Sequence, residues 1–176
     1  NGTDFIAGRL VHASGFTNAA NNRVFTVASS TGTTVVAAGT PTLTDEAAPP
    51  VGARLKVVGV VGASGDITAT ATGLASTVLN FTTLGLTVGQ WIKVGGTAVG
   101  DQFATAVLHN WVRVATIAAT ALTLDNRPAG WTTDAGAAKT IKIWFGDTLR
   151  NGVVNRSWTI EMGFLGQLTP TYVPLS

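Results

Sequence analysis

The sequence predicts an all-β fold, built from two small repeated β-sandwich or barrel modules and a C-terminal β-hairpin segment. Gly, Thr, Asn and Pro recur so often that no apolar pattern at helical spacing lasts beyond two turns. The apolar residues are mostly small, with one Met and one Tyr among 176 residues, which suits thin sheets. Short runs of alternating apolar and polar residues follow one another between turn signals.

Seven runs alternate with the period of two that places one face of a strand toward a core. They are Arg23 to Ala28, Leu55 to Val61, Gln90 to Val94, Trp111 to Ile117, Ala121 to Leu124, Thr140 to Phe145 and Ser157 to Met162. Thr31-Gly32, Pro49-Pro50 and Asn151-Gly152 are turn signals, because the backbone reverses there at little steric cost. Gly100 to Leu108 is the single helix candidate, with room for one or two turns.

The order of elements repeats along the chain. Residues 22–28 align with 109–115 at a spacing of 87, and residues 55–58 align with 141–144 at a spacing of 86. Leu43-Thr44-Asp45 has a rougher partner in Leu124-Asp125-Asn126. The pattern predicts a first β module over residues 1–65 and a second over 66–146, joined by the Gly-Ala-Ser-Gly linker at 62–65. Residues 147–176 form the hairpin segment. The alternative is one sandwich that contains all the strands.

Charge is scarce, at 11% of residues against about 25% in typical soluble domains. Interfaces in permanent assemblies are depleted in charge, so we expect other copies of the same protein to cover this surface. The alternative is a Thr-rich surface that faces solvent. The net charge is only +2 and the basic residues are scattered, which predicts no specific nucleic-acid binding.

Polar residues that could support catalysis do not cluster in the sequence. His12 and His109 lack companions at metal-ligand spacing, and the acidic pair Asp45-Glu46 precedes a Pro-containing turn. Cysteine is absent, and no run of about 20 apolar residues predicts a membrane span. We therefore expect a non-enzymatic protein with no catalytic residue, no metal site, no cofactor and no membrane partner.

The five tryptophans are the largest apolar side chains of the sequence. Four of them lie in apolar strand patterns, which indicates core or interface anchors. Trp131 lies instead in a predicted turn. Trp131 and Trp91 could form a sugar-stacking platform, so the alternative function is a β-sandwich binding module that recognises host-surface glycans.

The C-terminal third carries the most distinctive motifs. Residues 145–152 read Phe-Gly-Asp-Thr-Leu-Arg-Asn-Gly, and residues 156–165 read Arg-Ser-Trp-Thr-Ile-Glu-Met-Gly-Phe-Leu. They resemble the segment of bacteriophage tail tube proteins, also called major tail proteins, in which a Gly-containing turn leads into an R-S-[FW]-T-I-E strand. Residues 89–96 and 21–27 are similar to paired modules upstream in that family.

The resemblance implies a structural subunit of a virion tail. Such subunits form homo-oligomeric rings, which we expect to be hexameric, stacked into a tube with other tail proteins. DNA leaves the capsid through the lumen without specific binding. The family also has tube-forming strands that would precede residue 1 and follow residue 176, so we expect this sequence to be part of a longer protein.

The candidate self-assembly interface lies in the hairpin segment. Arg150 and Arg156 flank the Asn151-Gly152 turn, where they could pair with Asp147 or Glu161 within the chain or across a ring. Trp158 lies on the apolar face of the run Ser157 to Met162, opposite Glu161. The alternative for these arginines is a solvated hairpin tip.

Overall fold

The computed structural model describes residues 4–39, 41–47 and 50–145. Within these residues the chain is all-β, with ten strands in one antiparallel sheet, and its helices are 3-10 helices of three residues each. The strands are β1 (Arg9–Ser14), β2 (Val24–Ser30), β3 (Val35–Ala37), β4 (Arg54–Val61), β5 (Thr68–Thr70), β6 (Gly73–Ala75), β7 (Trp91–Val94), β8 (Trp111–Ile117), β9 (Ala121–Asn126) and β10 (Lys142–Trp144). The all-β part of the predicted fold class is confirmed.

Six of the seven predicted runs coincide with strands β2, β4, β7, β8, β9 and β10. The seventh, Ser157 to Met162, lies outside the described residues. Sequence reasoning missed β1. It also missed β3, β5 and β6, because their three residues each hold too little alternation to form a pattern. The helix candidate Gly100 to Leu108 contains parts of two 3-10 helices, Val99–Asp101 and Ala106–Leu108.

The sheet order is β3-β2-β1-β4-β10-β7-β8-β9-β6-β5. Strands β4 and β10 pair in the middle of the sheet and join its two halves, with Val61 opposite Lys142 and Gly59 opposite Trp144. Gly59 permits this close approach, because a Cβ there would lie 2.5 Å from the carbonyl oxygen of Ile143. The predicted modules therefore share one sheet, and their status as repeats stays a prediction.

The second part of the sheet closes on itself around the main core. Hydrogen-bonded pairing runs from β10 through β7, β8, β9 and β6 to β5. From β5 an isolated bridge between Ala69 and Asp134 returns to the chain that leads into β10. Gly62 and Gly65 donate to the carbonyls of Ile141 (2.9 Å) and Lys139 (2.8 Å), so the predicted linker is paired with this chain.

The main core lies inside this closed circuit. Its largest fully buried side chains include Phe81, Phe103, Leu74, Leu108 and Ile143. Residues 67–86 supply Ile67, Ala69, Leu74, Phe81, Leu84 and Leu86 to it. The chain between β4 and β7 thus covers the inner face of strands β7 to β10, which removes apolar area from water.

The first four strands are paired in the same way as β7 to β10. In both sets the first strand pairs with the second, the second with the third, and the first with the fourth. The pairs Leu10–Thr26, Val11–Phe25 and His12–Val24 match Trp91–Arg113, Ile92–Val112 and Lys93–Trp111. The register of β2 and β3 shifts between Val27 and Ser29, and that of β8 and β9 between Val114 and Thr116, 87 residues later.

Candidate functional site

An open cavity of about 320 Å3 lies on the first four strands. It is bordered by β3 and by residues 43–46, which precede β4. Its apolar lining includes Leu43, which is 50% exposed, and Leu55, which is 37% exposed. The full lining is Ala13, Phe16, Asn21, Phe25, Val35, Leu43, Thr44, Asp45, Glu46 and Leu55.

The strand beside the cavity is the free edge of the sheet. β3 pairs with β2 on one side, and no strand of the described residues pairs with its other side. Val36 in the middle of β3 is 47% exposed. An edge strand with unpaired backbone groups can accept another strand, so the edge of β3 and the cavity that Val35 lines are a candidate docking surface.

Glu46 holds the floor of the cavity together. Its carboxylate accepts hydrogen bonds from the backbone N–H groups of Asn18 (2.8 Å) and Thr17 (3.2 Å) and from the Asn21 amide (2.8 Å). These bonds, chiefly that from Asn18, lower the pKa of Glu46 below its ordinary value because they favour the charged form. Sequence reasoning placed Glu46 in an exposed turn and missed this role.

Asp134 makes the corresponding contacts in the other half of the sheet. Its carboxylate accepts from the backbone N–H of Thr105 (3.0 Å) and of Gly136 (2.9 Å). Burial alone would raise the pKa of Asp134, but the hydrogen bonds from Gly136, Thr105 and Ala104 lower it below its ordinary value. Thr105 and Asn18 each precede a 3-10 helix, so both carboxylates bind the start of an equivalent helix.

The residues that line the cavity correspond to core residues of the other half. Strand register and the position of the 3-10 helices give these equivalences. The equivalent pairs are Ala13 and Val94, Asn21 and Leu108, Phe25 and Val112, Val35 and Leu122, and Leu55 and Ile143. The second residue of each pair is a buried member of the main core. The same places in the framework are therefore filled in one half and open in the other.

Four valines outside the strands are exposed to solvent. Val51, Val78, Val88 and Val99 are 107%, 74%, 67% and 77% exposed. Val99 begins a 3-10 helix, and the other three lie in loops. Their apolar area therefore faces water in the single chain.

The predicted interface residues, Asp147, Arg150, Arg156, Trp158 and Glu161, all lie outside the described residues. The structure therefore brings none of them to the cavity, and their role stays a prediction. The predicted second module ends at Gly146, which also lies outside.

The other sequence candidates have structural contacts. Trp131 packs against the main core and donates its indole N–H to the carbonyl of Thr70 at 2.8 Å. Trp91 lies half-buried on β7. The His109 ring contacts the carbonyl oxygen of Phe103 at 2.5 Å. Trp131 is thus held by internal contacts, which reduces the indole surface that a sugar could reach.

A larger cavity of about 580 Å3 lies between the two halves and contains Arg9 and Asp66. Arg9 is buried, and its guanidinium donates to the carbonyls of Thr83 (2.6 Å) and Leu84 (3.4 Å). Burial lowers the pKa of Arg9, and the Asp4 carboxylate opposes this shift. Asp66 accepts from Ser76 and from the backbone of Thr77 and Val78, so its oxygens bind internal groups.

Among the described residues no group of three or more His, Cys, Asp or Glu side chains could hold a metal ion. In the same part of the chain, no helix has the length and apolar character needed to cross a membrane. No protein-family model matches this chain, and no curated protein or solved structure is significantly similar to it.

Proposed function

We propose that this protein is a structural, non-enzymatic subunit of a phage tail tube. In this proposal copies of the chain assemble into stacked hexameric rings that form the conduit for DNA ejection, and the chain resides in the virion tail. The motifs at residues 145–152 and 156–165 support the family assignment. An all-β chain with few charges is suited to burial against other copies of itself.

The observation that carries this proposal is the set of exposed valines. Val51, Val78, Val88 and Val99 are each more than half exposed and lie outside the strands, so they do not serve the core. Contact with a neighbouring subunit would remove their apolar area from water, at roughly 25 cal/mol per Å2. This gain recurs at every contact of a closed ring.

We also propose that the chain contains two repeats, β1 to β4 and β7 to β10. Three features support it: the matching strand registers, the bulges 87 residues apart, and the carboxylates Glu46 and Asp134 bound to equivalent 3-10 helices. A β-bulge shifts the register of a strand pair at one position and is conserved within a fold. A bulge at the same position in both sets of strands therefore favours a repeat. Residues 62–86 are then an insertion between the repeats.

Electron microscopy of the purified full chain tests the tube proposal. We expect rings or tubes for the parent protein, and their loss in the double variant Val51→Asp, Val99→Asp, because a buried unpaired carboxylate is costly. Thr33→Asp, which introduces one carboxylate at an exposed residue of the β2–β3 turn, is the control for an added surface charge and should still assemble.

Circular dichroism should report the same β content for all three proteins. Stable monomers that bind glycans with measurable affinity would overturn the tube proposal in favour of the binding module. Assembly of the double variant at the parent level would show that the exposed valines are not the contacts.

A further inference from the structure

The cavity occupies the place that a β-hairpin fills in the other half of the sheet. There, β6 pairs with the outer side of β9, and β5 bridges to Asp134 through Ala69. The counterparts of β9 and Asp134 are β3 and Glu46, and both border the cavity. Among the described residues, no hairpin lies between β3 and Glu46. Their counterparts, β9 and Asp134, are joined by the hairpin β5–β6.

The order of the chain indicates which segment belongs there. The hairpin β5–β6 follows β4, and β4 and β10 are counterparts that pair with each other at the centre of the sheet. Read outward from this central pair, the strand order is β4, β1, β2, β3 in one direction and β10, β7, β8, β9 in the other, so the two proposed repeats are arranged symmetrically. The segment that leaves β4 pairs with β9, so by this equivalence the place for a segment that leaves β10 is the outer edge of β3.

We propose that residues 147–156 dock in this cavity of their own chain as a β-hairpin that pairs with the outer edge of β3. This inference rests on the proposed repeat and does not depend on tube assembly. Asn151-Gly152 is the strongest two-residue turn signal for a hairpin. A turn there places Leu149 opposite Val154, as Ala69 lies opposite Leu74 in the hairpin β5–β6.

Charge also favours this occupant. Asp45 and Glu46 border the cavity, whereas residues 147–156 carry two arginines, Arg150 and Arg156, and one acidic residue. In the proposed register the apolar lining would receive Leu149 and Val154, and the acidic border would face Arg156, which shares their face of the hairpin. Opposite charges at the rim orient a docked segment more than they add to its affinity.

Thiol labelling of the full chain tests the docking, since the protein has no cysteine of its own. Leu43→Cys places a thiol in the cavity, and Ala71→Cys places one on the exposed turn between β5 and β6, outside the valines proposed as subunit contacts. A docked hairpin should slow maleimide labelling of the Leu43→Cys variant at least tenfold relative to the Ala71→Cys variant. Adding Val154→Asp should bring the two rates together.

Three outcomes decide the matter. Equal labelling rates in the otherwise unaltered chain would overturn the proposal, because the cavity would then be open. Protection that grows with protein concentration would also overturn it, in favour of a segment from a second copy. Protection that persists at low concentration in a monomeric sample supports it, whatever electron microscopy shows about tubes. Hydrogen exchange of the β3 amides gives a second measurement, and Val154→Asp should accelerate it.

Discussion

The two proposed repeats, β1 to β4 and β7 to β10, share strand order and register but differ in the side chains that cover them. Strands β7 to β10 surround a closed core, whereas β1 to β4 border an open cavity at the equivalent positions. The difference lies in the chain that covers the sheet, because residues 67–86 supply Leu74, Phe81 and their neighbours to the core of β7 to β10, to which β1 to β4 contribute Val60. Strand pairing alone therefore does not decide where a core forms.

Side-chain size follows the same division. Val94 and Leu108 of the second repeat are replaced by Ala13 and Asn21 in the first. Asn21 is buried but bonds to the carbonyl and N–H of Thr44 and to Glu46, so it ties the loop to the strands by hydrogen bonds. At the Asn21 position the first proposed repeat thus has hydrogen bonds, whereas Leu108 in the second has apolar packing.

The largest expected effect comes from truncating the core member of this pair. Leu108→Ala should lower the free energy of unfolding by about 2 to 5 kcal/mol, because Leu108 is fully buried and the substitution leaves a cavity. Asn21→Ala is the matched variant in the first repeat and should cost less, about 1 to 3 kcal/mol for lost hydrogen bonds. Chemical denaturation followed by circular dichroism measures both. Equal costs would contradict the contrast between a packed and an open repeat.

Acid should weaken both repeats through their carboxylates. Glu46 and Asp134 have pKa values below ordinary in the folded chain, so their hydrogen bonds stabilise it above about pH 4. As pH falls through that region the unfolded chain binds protons first, and the free energy of unfolding decreases. Asp134→Asn and Glu46→Gln should each reduce this loss between about pH 5 and pH 3.

Denaturation curves across that pH range provide the measurement. Thr33→Asp adds a carboxylate at an exposed turn with no such partners and serves as the control for a change in net charge. An unchanged pH dependence in both neutral variants would show that neither carboxylate is linked to folding.

The sequence predicted six of the ten described strands, the repeat stays a proposal, and the failures have physical causes. Strands β2 and β8 align at a spacing of 87, but β1 and β7 are equivalent at 81 because the connection after β7 is longer. The alignment of residues 43–45 with 124–126 was wrong, because register makes Val35–Ala37 the counterpart of residues 122–124. A three-residue strand offers no periodicity that would correct it.

The cavity itself left no local signal in the sequence. Phe25 and Val112 occupy equivalent positions in similar strand patterns, yet one lines the cavity and the other is fully buried. That difference is set by the distant residues 67–86, which no pattern within either strand reports. Glu46 was missed for a related reason, since its partners lie 28 and 29 residues earlier in the chain.

The smallest expected effect concerns an ion pair that only the second repeat has. Arg113 donates from Nε and Nη2 to the two oxygens of Asp125 at 2.8 and 2.9 Å, on adjacent strands. Both side chains are over 40% exposed, at 45% and 42%. Their counterparts Thr26 and Ala38 form no ion pair, yet the N–H of Ala38 still donates to the carbonyl of Thr26 at 2.7 Å.

The first repeat thus shows that this strand pairing does not need the ion pair. The double variant Arg113→Thr, Asp125→Ala installs the residues of the first repeat, and we expect no resolvable change in the denaturation midpoint, because exposed ion pairs contribute little. A clear loss of stability would mean that the two repeats hold the equivalent strand pair by different forces. Raising the salt concentration separates the possibilities, since only a loss caused by the missing ion pair should shrink as salt screens the parent protein.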